Sequence, residues 1–208
     1  FKCYFVATGN HYERSKGNTY KEVLKKGFNI DFKVPYNLKN DTNREIAYEI
    51  SKSIRKNFDI LSKVKPDLVM ILGDRYELMP IACIALLLNI PIAHLHGGEV
   101  TEGAFDDSIR HSISKLSNIH FVTNQIYKKR LMRMGENPNI IFDVGGIGAE
   151  LIAKEKKFNK KQIEKLLKVK LNKKIIMVSL HPETKSKNTN YLSVFKVLKK
   201  FKKDFLII

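Results

Sequence analysis

Residues 67–75 read Asp-Leu-Val-Met-Ile-Leu-Gly-Asp-Arg, a short apolar run that ends directly in a polar Gly-Asp-Arg sequence. A run of this length, bounded by polar residues, is typical of a buried strand. Similar runs occur before and after it, and segments with helical periodicity separate them. This alternation predicts an α/β fold with a parallel sheet covered on both faces. The predicted strands are residues 2–7, 68–72, 91–95, 120–123 and 140–144, and the predicted helices include 78–88, 106–117 and 125–134.

A longer helix is predicted between the first two of these strands. Thr42-Asn-Arg-Glu45 has the pattern of a capping box, which marks the start of a helix. Pro66 stops it. The apolar residues that follow the cap at helical spacing are Ile46, Ile50, Ile54, Phe58 and Leu61.

The sequence changes character after Gly148. Asn159-Lys-Lys-Gln162 could cap a further helix, residues 175–180 form a strand-like run, and a lysine-rich helical pattern over 191–203 leads to a final apolar run. This pattern is typical of the opening β-α-β of a second domain. We therefore predict a Rossmann-like domain over residues 1–150 and the opening part of a second Rossmann-like domain over residues 151–208. Because the chain starts in a strand-like run and stops in an apolar one, we expect it to be a fragment of a longer protein.

The net charge of +17 over 208 residues comes mostly from the end of the chain. Residues 151–208 contain 17 lysines, no arginine and four acidic residues. A nucleic-acid-binding module is one interpretation. It lacks support, because this region has no interleaved aromatic residues for base stacking and no RNA-binding or helix-turn-helix motif. Solvated helix faces explain the lysines better.

The short apolar runs and the two cysteines exclude a membrane-spanning protein and a disulfide framework. The longest apolar run, residues 81–88, is too short to span a bilayer. Cys3 and Cys83 cannot supply a disulfide framework, so a reducing cytoplasm is the simplest setting.

Polar clusters follow the predicted strands, where parallel α/β folds place their ligands. They are Thr8-Gly-Asn-His11, Gly73-Asp74-Arg75, the segment from His94 to Asp107, and Gly145-Gly146. Asp74 and Arg75 either contact the polar groups of a substrate or serve as a helix N-cap and a solvated side chain. His11 is equally open to a binding or a structural role.

His94-Leu-His96-Gly-Gly-Glu99 allows two interpretations. A His-x-His pair with nearby carboxylates can bind zinc, which would suit a metal-dependent hydrolase. Alternatively, His94 packs in the core and only His96 faces the site. We favour the second interpretation, because no third and fourth ligand occurs at a useful spacing.

Asp106-Asp107-Ser-Ile-Arg110-His opens a predicted helix. Acidic residues in a first turn can simply favour the helix dipole. Arg110 is also placed to pair with Asp106 or Asp107, and a carboxylate fixed in this way is oriented for acid/base work. A lone histidine at a strand end, such as His181, is more often structural, but this one would point into an interdomain cleft.

Several of these segments together resemble a known enzyme family. Residues 73–77, 94–103, 106–111 and 114–117, followed by His120-Phe121, are similar to the hydrolysing UDP-N-acetylglucosamine 2-epimerases, and in particular to the bacterial enzymes of sialic and legionaminic acid synthesis. The resemblance implies a glycosyltransferase-B-like fold of two Rossmann-type domains, with this chain truncated at both ends and its first domain lacking the first strand. It implies a UDP-sugar substrate, no cofactor, no metal and a homodimer.

The reaction that the resemblance implies inverts C2 of the sugar and releases UDP through a 2-acetamidoglycal. By position, Asp74 and Asp106 match catalytic acids of the family, and Asp107 and Arg110 match an adjacent active-site pair. His181 matches a histidine linked to departure of UDP, and His11 matches a substrate-site histidine. Arg75 and Glu99 are further predicted substrate-binding residues. We also expect the side chains of Asp74, His96 and Asp106 to converge from separate loops on one pocket rim, close enough to act on a single sugar ring.

One departure from the family concerns His96, because many members carry Glu there. Histidine at this position resembles the legionaminic-type branch, whose substrate is UDP-N,N′-diacetylbacillosamine. Either His96 serves as the acid/base, or Glu99 takes part, or this copy is altered, and the sugar is either N-acetylglucosamine or N,N′-diacetylbacillosamine. We expect the 208 residues alone to be inactive. A glycosyltransferase of the same fold is the nearest alternative function.

Overall fold

The computed structural model describes residues 1–40, 42–180 and 191–208. Their contacts divide the chain into two units. One comprises residues 1–100 and 106–146, and the other comprises residues 101–105 and 147–208. The predicted domain division after residue 150 stays a prediction.

The first unit is built from parallel strands, as predicted. Strands β1 (Val6–Gly9) and β2 (Phe32–Pro35) pair with each other. A separate sheet has the order β3-β4-β5-β6, and every neighbouring pair in it is parallel. These four strands are β3 (Val69–Leu72), β4 (Ile92–Leu95), β5 (Ile119–Val122) and β6 (Ile141–Asp143).

Helices connect the strands of this unit. The main core joins strands β3 and β4 to the helices, with Ile71, Ala82, Ile92 and Ile113 almost fully buried. Short 3-10 helices lie at Asn10–Tyr12, Arg14–Lys16, Tyr76–Leu78 and Pro138–Ile140. The α-helices are α1 (Tyr20–Lys25), α2 (Asn43–Val64), α3 (Met79–Leu87), α4 (Asp106–Leu116) and α5 (Gln125–Arg133).

Among the residues that the structure describes, one face of the sheet is well covered and the other only in part, since Ala93 on the second face is fully buried. Val69 and Ile71 of β3 are buried, whereas the alternate residues Met70 and Leu72 are 63% and 57% exposed. Phe142, which shares the open face through the strand register, is 47% exposed. The predicted cover is therefore complete on one face and partial on the other within these residues.

Helix α2 begins where predicted, but its buried side is polar. Thr42 Oγ1 accepts a hydrogen bond from the Glu45 amide at 3.3 Å, which is half of the predicted capping box. Glu45 instead accepts from the Asn40 amide at 2.9 Å. The buried positions are Glu49, Ser53, Asn57 and Leu61, whereas Ile54 and Phe58 of the apolar stripe are exposed.

The second unit contains strands β7 (Lys174–Ile176) and β8 (Phe205–Ile207), which pair in parallel. The predicted cap at Asn159 is confirmed as a full capping box, because Asn159 and Gln162 each accept from the backbone of the other. No helix within the described ranges combines the length and apolarity that crossing a membrane requires. The helices of the second unit are α6 (Ile147–Lys154), α7 (Lys160–Leu167) and α8 (Leu192–Phe201).

Candidate functional site

The loops at the carboxyl ends of β3, β4 and β5 and the first turns of α4 hold most of the predicted site residues. Asp74 and Arg75 follow β3, and the segment His96–Glu99 follows β4. Because parallel strands end at the same edge of a sheet, this placement agrees with the ligand position of open α/β folds.

Arg110 links two of the predicted carboxylates. Its guanidinium is 5% exposed, and it donates from Nη2 to Asp74 Oδ2 and from Nη1 to Asp107 Oδ1, the latter at 3.1 Å. Burial lowers the pKa of the Arg110 guanidinium below its ordinary value. A buried guanidinium needs compensating charge, and the two carboxylates provide it. Of the two pairings that the sequence allowed for Arg110, the one with Asp107 is confirmed.

Arg75 is held by a residue that the sequence did not single out. Its Nη2 and Nε atoms donate to the Glu77 carboxylate at 2.8 and 3.2 Å, and Glu77 is buried. This hydrogen bonding raises the pKa of Arg75, burial opposes the shift, and the negative charges of Glu77 and Asp106 add to it. The Arg75 side chain remains 59% exposed and can still reach a ligand.

His96 belongs to a second polar group, at the ends of β4 and β5. Its Nδ1 lies 2.9 Å from Glu99 Oε1, and the Thr123 hydroxyl donates to the same carboxylate oxygen at 3.0 Å. The His96 backbone has φ of 64°, a left-handed conformation that non-glycine residues rarely adopt. Such strain persists where the surroundings impose it, often at functional sites. Thr123 was not identified from the sequence, since a threonine at a strand end carries no motif.

His94 is fully buried in the core, as the favoured interpretation predicted. Its Nε2 lies 2.7 Å from the Gly73 carbonyl oxygen, and its Nδ1 lies 3.1 Å from Ser114 Oγ of α4. Burial lowers the pKa of His94 to about 4, although the hydrogen bond to Gly73 opposes this shift. The ring is therefore neutral at neutral pH. Within the described residues, no group of three His, Cys, Asp or Glu side chains could hold a metal ion.

Gly97 lies against this histidine, which makes a substitution there informative. A Cβ at Gly97 would come within 2.9 Å of Ser114 Oγ and 3.1 Å of His94 Nδ1. We expect Gly97→Ala to lower the free energy of unfolding by about 1–3 kcal/mol. Chemical denaturation measures this, with Gly148→Ala as the control, because a Cβ at Gly148 meets no atom within 4 Å. Equal stability of the two variants would show that the close packing around Gly97 is not present in solution.

The two remaining predicted residues are His11 and His181. His11 is exposed, and its Nδ1 lies 2.7 Å from Thr19 Oγ1. His181 lies outside the described residues. The structure thus joins Asp74, Asp107 and Arg110 in one group and His96 with Glu99 in another. The approach of Asp74, His96 and Asp106 to a single sugar ring stays a prediction.

Comparisons with known proteins agree with this architecture. Residues 1–208 match the sequence family described as UDP-N-acetylglucosamine 2-epimerase. A GDP/UDP-N,N′-diacetylbacillosamine 2-epimerase (hydrolyzing) of Campylobacter jejuni is 43% identical over 94% of this chain and 50% of its own length. The polysialic acid biosynthesis protein P7 of Escherichia coli is 38% identical over 87% of this chain and 46% of its own length.

The fold is also that of solved structures. The UDP-GlcNAc 2-epimerase of Neisseria meningitidis, crystallised with UDP-GlcNAc, superimposes with a TM-score of 0.75 at 22% identity, over 96% of this chain and 56% of the other. This confirms the predicted Rossmann-like, glycosyltransferase-B-like fold class. The chain spans about half the length of the relatives that it matches.

Proposed function

Because this chain belongs to the UDP-N-acetylglucosamine 2-epimerase family, we propose that the full-length protein is a hydrolysing UDP-sugar 2-epimerase. The observation that carries the proposal is the buried Arg110 guanidinium, which fixes the carboxylates of Asp74 and Asp107 at the ligand-binding edge of the sheet. The substrate that we favour is UDP-N,N′-diacetylbacillosamine, with UDP-N-acetylglucosamine as the alternative. The Campylobacter relative and histidine at position 96 support this choice.

The proposed reaction has two steps that need opposite proton transfers. First, a base removes the C2 proton while the C1–O bond to UDP breaks, which leaves a double bond between C1 and C2. Then water adds its hydroxyl to C1, and a proton returns to C2 on the opposite face. The products are UDP and the free manno-configured sugar. A base and an acid are therefore needed on the two sides of the ring.

The two polar groups of the site can supply these roles. We assign proton removal to the carboxylate group of Asp74 and Asp107, because the Arg110 guanidinium holds both side chains in a fixed orientation at this edge of the sheet. We assign proton return to His96, since imidazole exchanges protons near neutral pH. In this assignment Glu99 orients the His96 ring through Nδ1, and Thr123 holds Glu99. Asp106 and Arg75 are the proposed contacts to the polar groups of the substrate, and His11 and His181 keep the roles that the resemblance implies.

The test is incubation of the full-length protein with each UDP-sugar in deuterated water. We expect UDP release and one deuterium at C2 of a free manno-configured sugar, faster with UDP-N,N′-diacetylbacillosamine than with UDP-N-acetylglucosamine. A chelator should leave the rate unchanged. A product without deuterium at C2, or transfer of the sugar to an added acceptor, would instead support a glycosyltransferase.

The setting of this activity is also a proposal. We propose a homodimeric enzyme of the bacterial cytoplasm that acts in legionaminic or sialic acid synthesis and has no nucleic-acid or membrane partner. The name of the Escherichia coli relative supports the link to sialic acids.

A further inference from the structure

We propose that His94 is a positioning residue that fixes the peptide plane between Gly73 and Asp74, and thereby the Asp74 carboxylate. This inference rests on the proposed function, because it gives His94 a part in the same site. His94 itself is fully buried and cannot meet the substrate.

The hydrogen bonds of the imidazole define its tautomer. A backbone carbonyl can only accept, so Nε2 carries the proton and donates to Gly73 O at 2.7 Å. Since the buried ring is neutral, Nδ1 accepts from the Ser114 hydroxyl at 3.1 Å. One ring on β4 therefore connects the loop after β3 to helix α4.

This connection lies beside the ion pair of Asp74. Arg110 and Ser114 are four residues apart on α4 and so share one face of the helix. Two connections therefore join the loop 73–74 to that face of α4. The Asp74 side chain binds Arg110, and the Gly73 carbonyl accepts from His94, whose ring also contacts Ser114.

The backbone freedom of Gly73 explains why the second connection, through His94, is needed. Gly73 has φ of 84°, and a Cβ placed on it would meet no atom within 4 Å. The Gly73 N–H donates to the Leu95 carbonyl oxygen at 3.0 Å, which holds the preceding peptide. Gly73 has no side chain of its own, and glycine allows the peptide that follows to rotate. The His94 hydrogen bond fixes the orientation of that peptide, whose N–H belongs to Asp74.

Two substitutions separate this role from simple core packing. In His94→Gln, the amide nitrogen can reach the position of Nε2 and donate to Gly73. In His94→Asn, the shorter side chain keeps a polar atom near Nδ1 but does not reach the carbonyl. We expect kcat of the full-length enzyme to fall less than about 5-fold in the Gln variant and about 100-fold in the Asn variant, with KM changed less than about 3-fold in both.

His120→Asn is the matched control. His120 is also fully buried and lies directly opposite His94 on the neighbouring strand β5, but its Nε2 contacts Glu136 at 3.2 Å, away from the loop 73–74. This variant should lose stability without a specific loss of kcat. Equal losses of kcat in the Gln and Asn variants at position 94, or none in either, would overturn the proposal.

A measurement that needs no catalysis tests the same point. Hydrogen–deuterium exchange of the peptide covering residues 73–78 should accelerate in His94→Asn but not in His94→Gln or His120→Asn. Unchanged exchange in the Asn variant overturns the positioning role even if the protein acts on another substrate. If His94→Asn does not fold, Ser114→Ala takes its place, with an expected 3- to 10-fold fall in kcat and faster exchange in the same peptide. A wild-type kcat together with a wild-type exchange rate of this peptide in Ser114→Ala would also overturn the proposal.

Discussion

Arg110→Met is expected to lower kcat of the full-length enzyme at least about 100-fold and to destabilise the fold by roughly 2–3 kcal/mol. The guanidinium is 5% exposed and faces Asp74 and Asp107, so its removal leaves two carboxylates without their shared donor. These carboxylates are 23% and 27% exposed, and water offsets part of the loss. Steady-state kinetics and urea denaturation measure the two effects.

Two further variants define the cause. Arg110→Lys keeps the charge but cannot donate to both carboxylates in the same planar geometry, so it should recover stability more than activity. Arg133→Met removes an exposed arginine at the end of α5 and should change the free energy of unfolding by less than about 0.5 kcal/mol. If Arg110→Met were as stable and active as Arg133→Met, the guanidinium would not organise the site.

The strands and helices around the site were predictable because they lie where apolar periodicity is strong. Strand β3 falls within the predicted run 68–72, and helix α4 within 106–117. The prediction of the first strand was less accurate. Strand β1 is Val6–Gly9, so its carboxyl end extends into the Thr-Gly sequence that the pattern had assigned to a loop. Helix α1 was missed, since its six residues are too few to establish a helical period.

Helix α2 shows why periodicity does not determine which side of a helix is buried. Ile54 and Phe58 predict the helix correctly but lie exposed, whereas Ser53 and Asn57 are buried and hydrogen-bonded to each other at 3.1 Å. Burial depends on which other elements pack against a helix, and that information is not local. The same holds for Met70 and Leu72, which the pattern places in a strand without showing which face is covered.

The site was predictable where a motif concentrates charge, and not where a single polar residue acts through another. Asp107 and Arg110 lie in one dense polar segment, so the sequence could suggest their pairing, whereas the ion pair between Asp74 and Arg110, 36 residues apart, was not predicted. Thr123 and Ser114 contact the site only through the tertiary structure. Nothing in the local sequence of Thr123 marks it, and the segment that begins at Ser114 contributed to the family resemblance without indicating a role for its hydroxyl group.

His96→Gly and His96→Ala are expected to lower kcat about 10²- to 10⁴-fold, because both remove the proposed acid/base imidazole. Their stabilities should differ. His96 has φ of 64°, and an alanine there keeps the steric conflict of Cβ in the left-handed conformation, whereas glycine does not. The Gly variant should therefore be more stable than the Ala variant by about 1 kcal/mol.

Lys65 provides the matched control for this pair. It has φ of 48° at the end of α2, is exposed, and lies away from the site. Lys65→Gly should exceed Lys65→Ala in stability by a similar amount, and both should keep wild-type kcat. If His96→Gly retained activity, the imidazole would not carry the proton. If the Gly and Ala variants at position 96 were equally stable, the backbone would not hold this residue in the left-handed conformation in solution. Loss of activity together with a gain in stability over alanine would instead indicate that the site maintains a strained backbone in order to present the His96 ring.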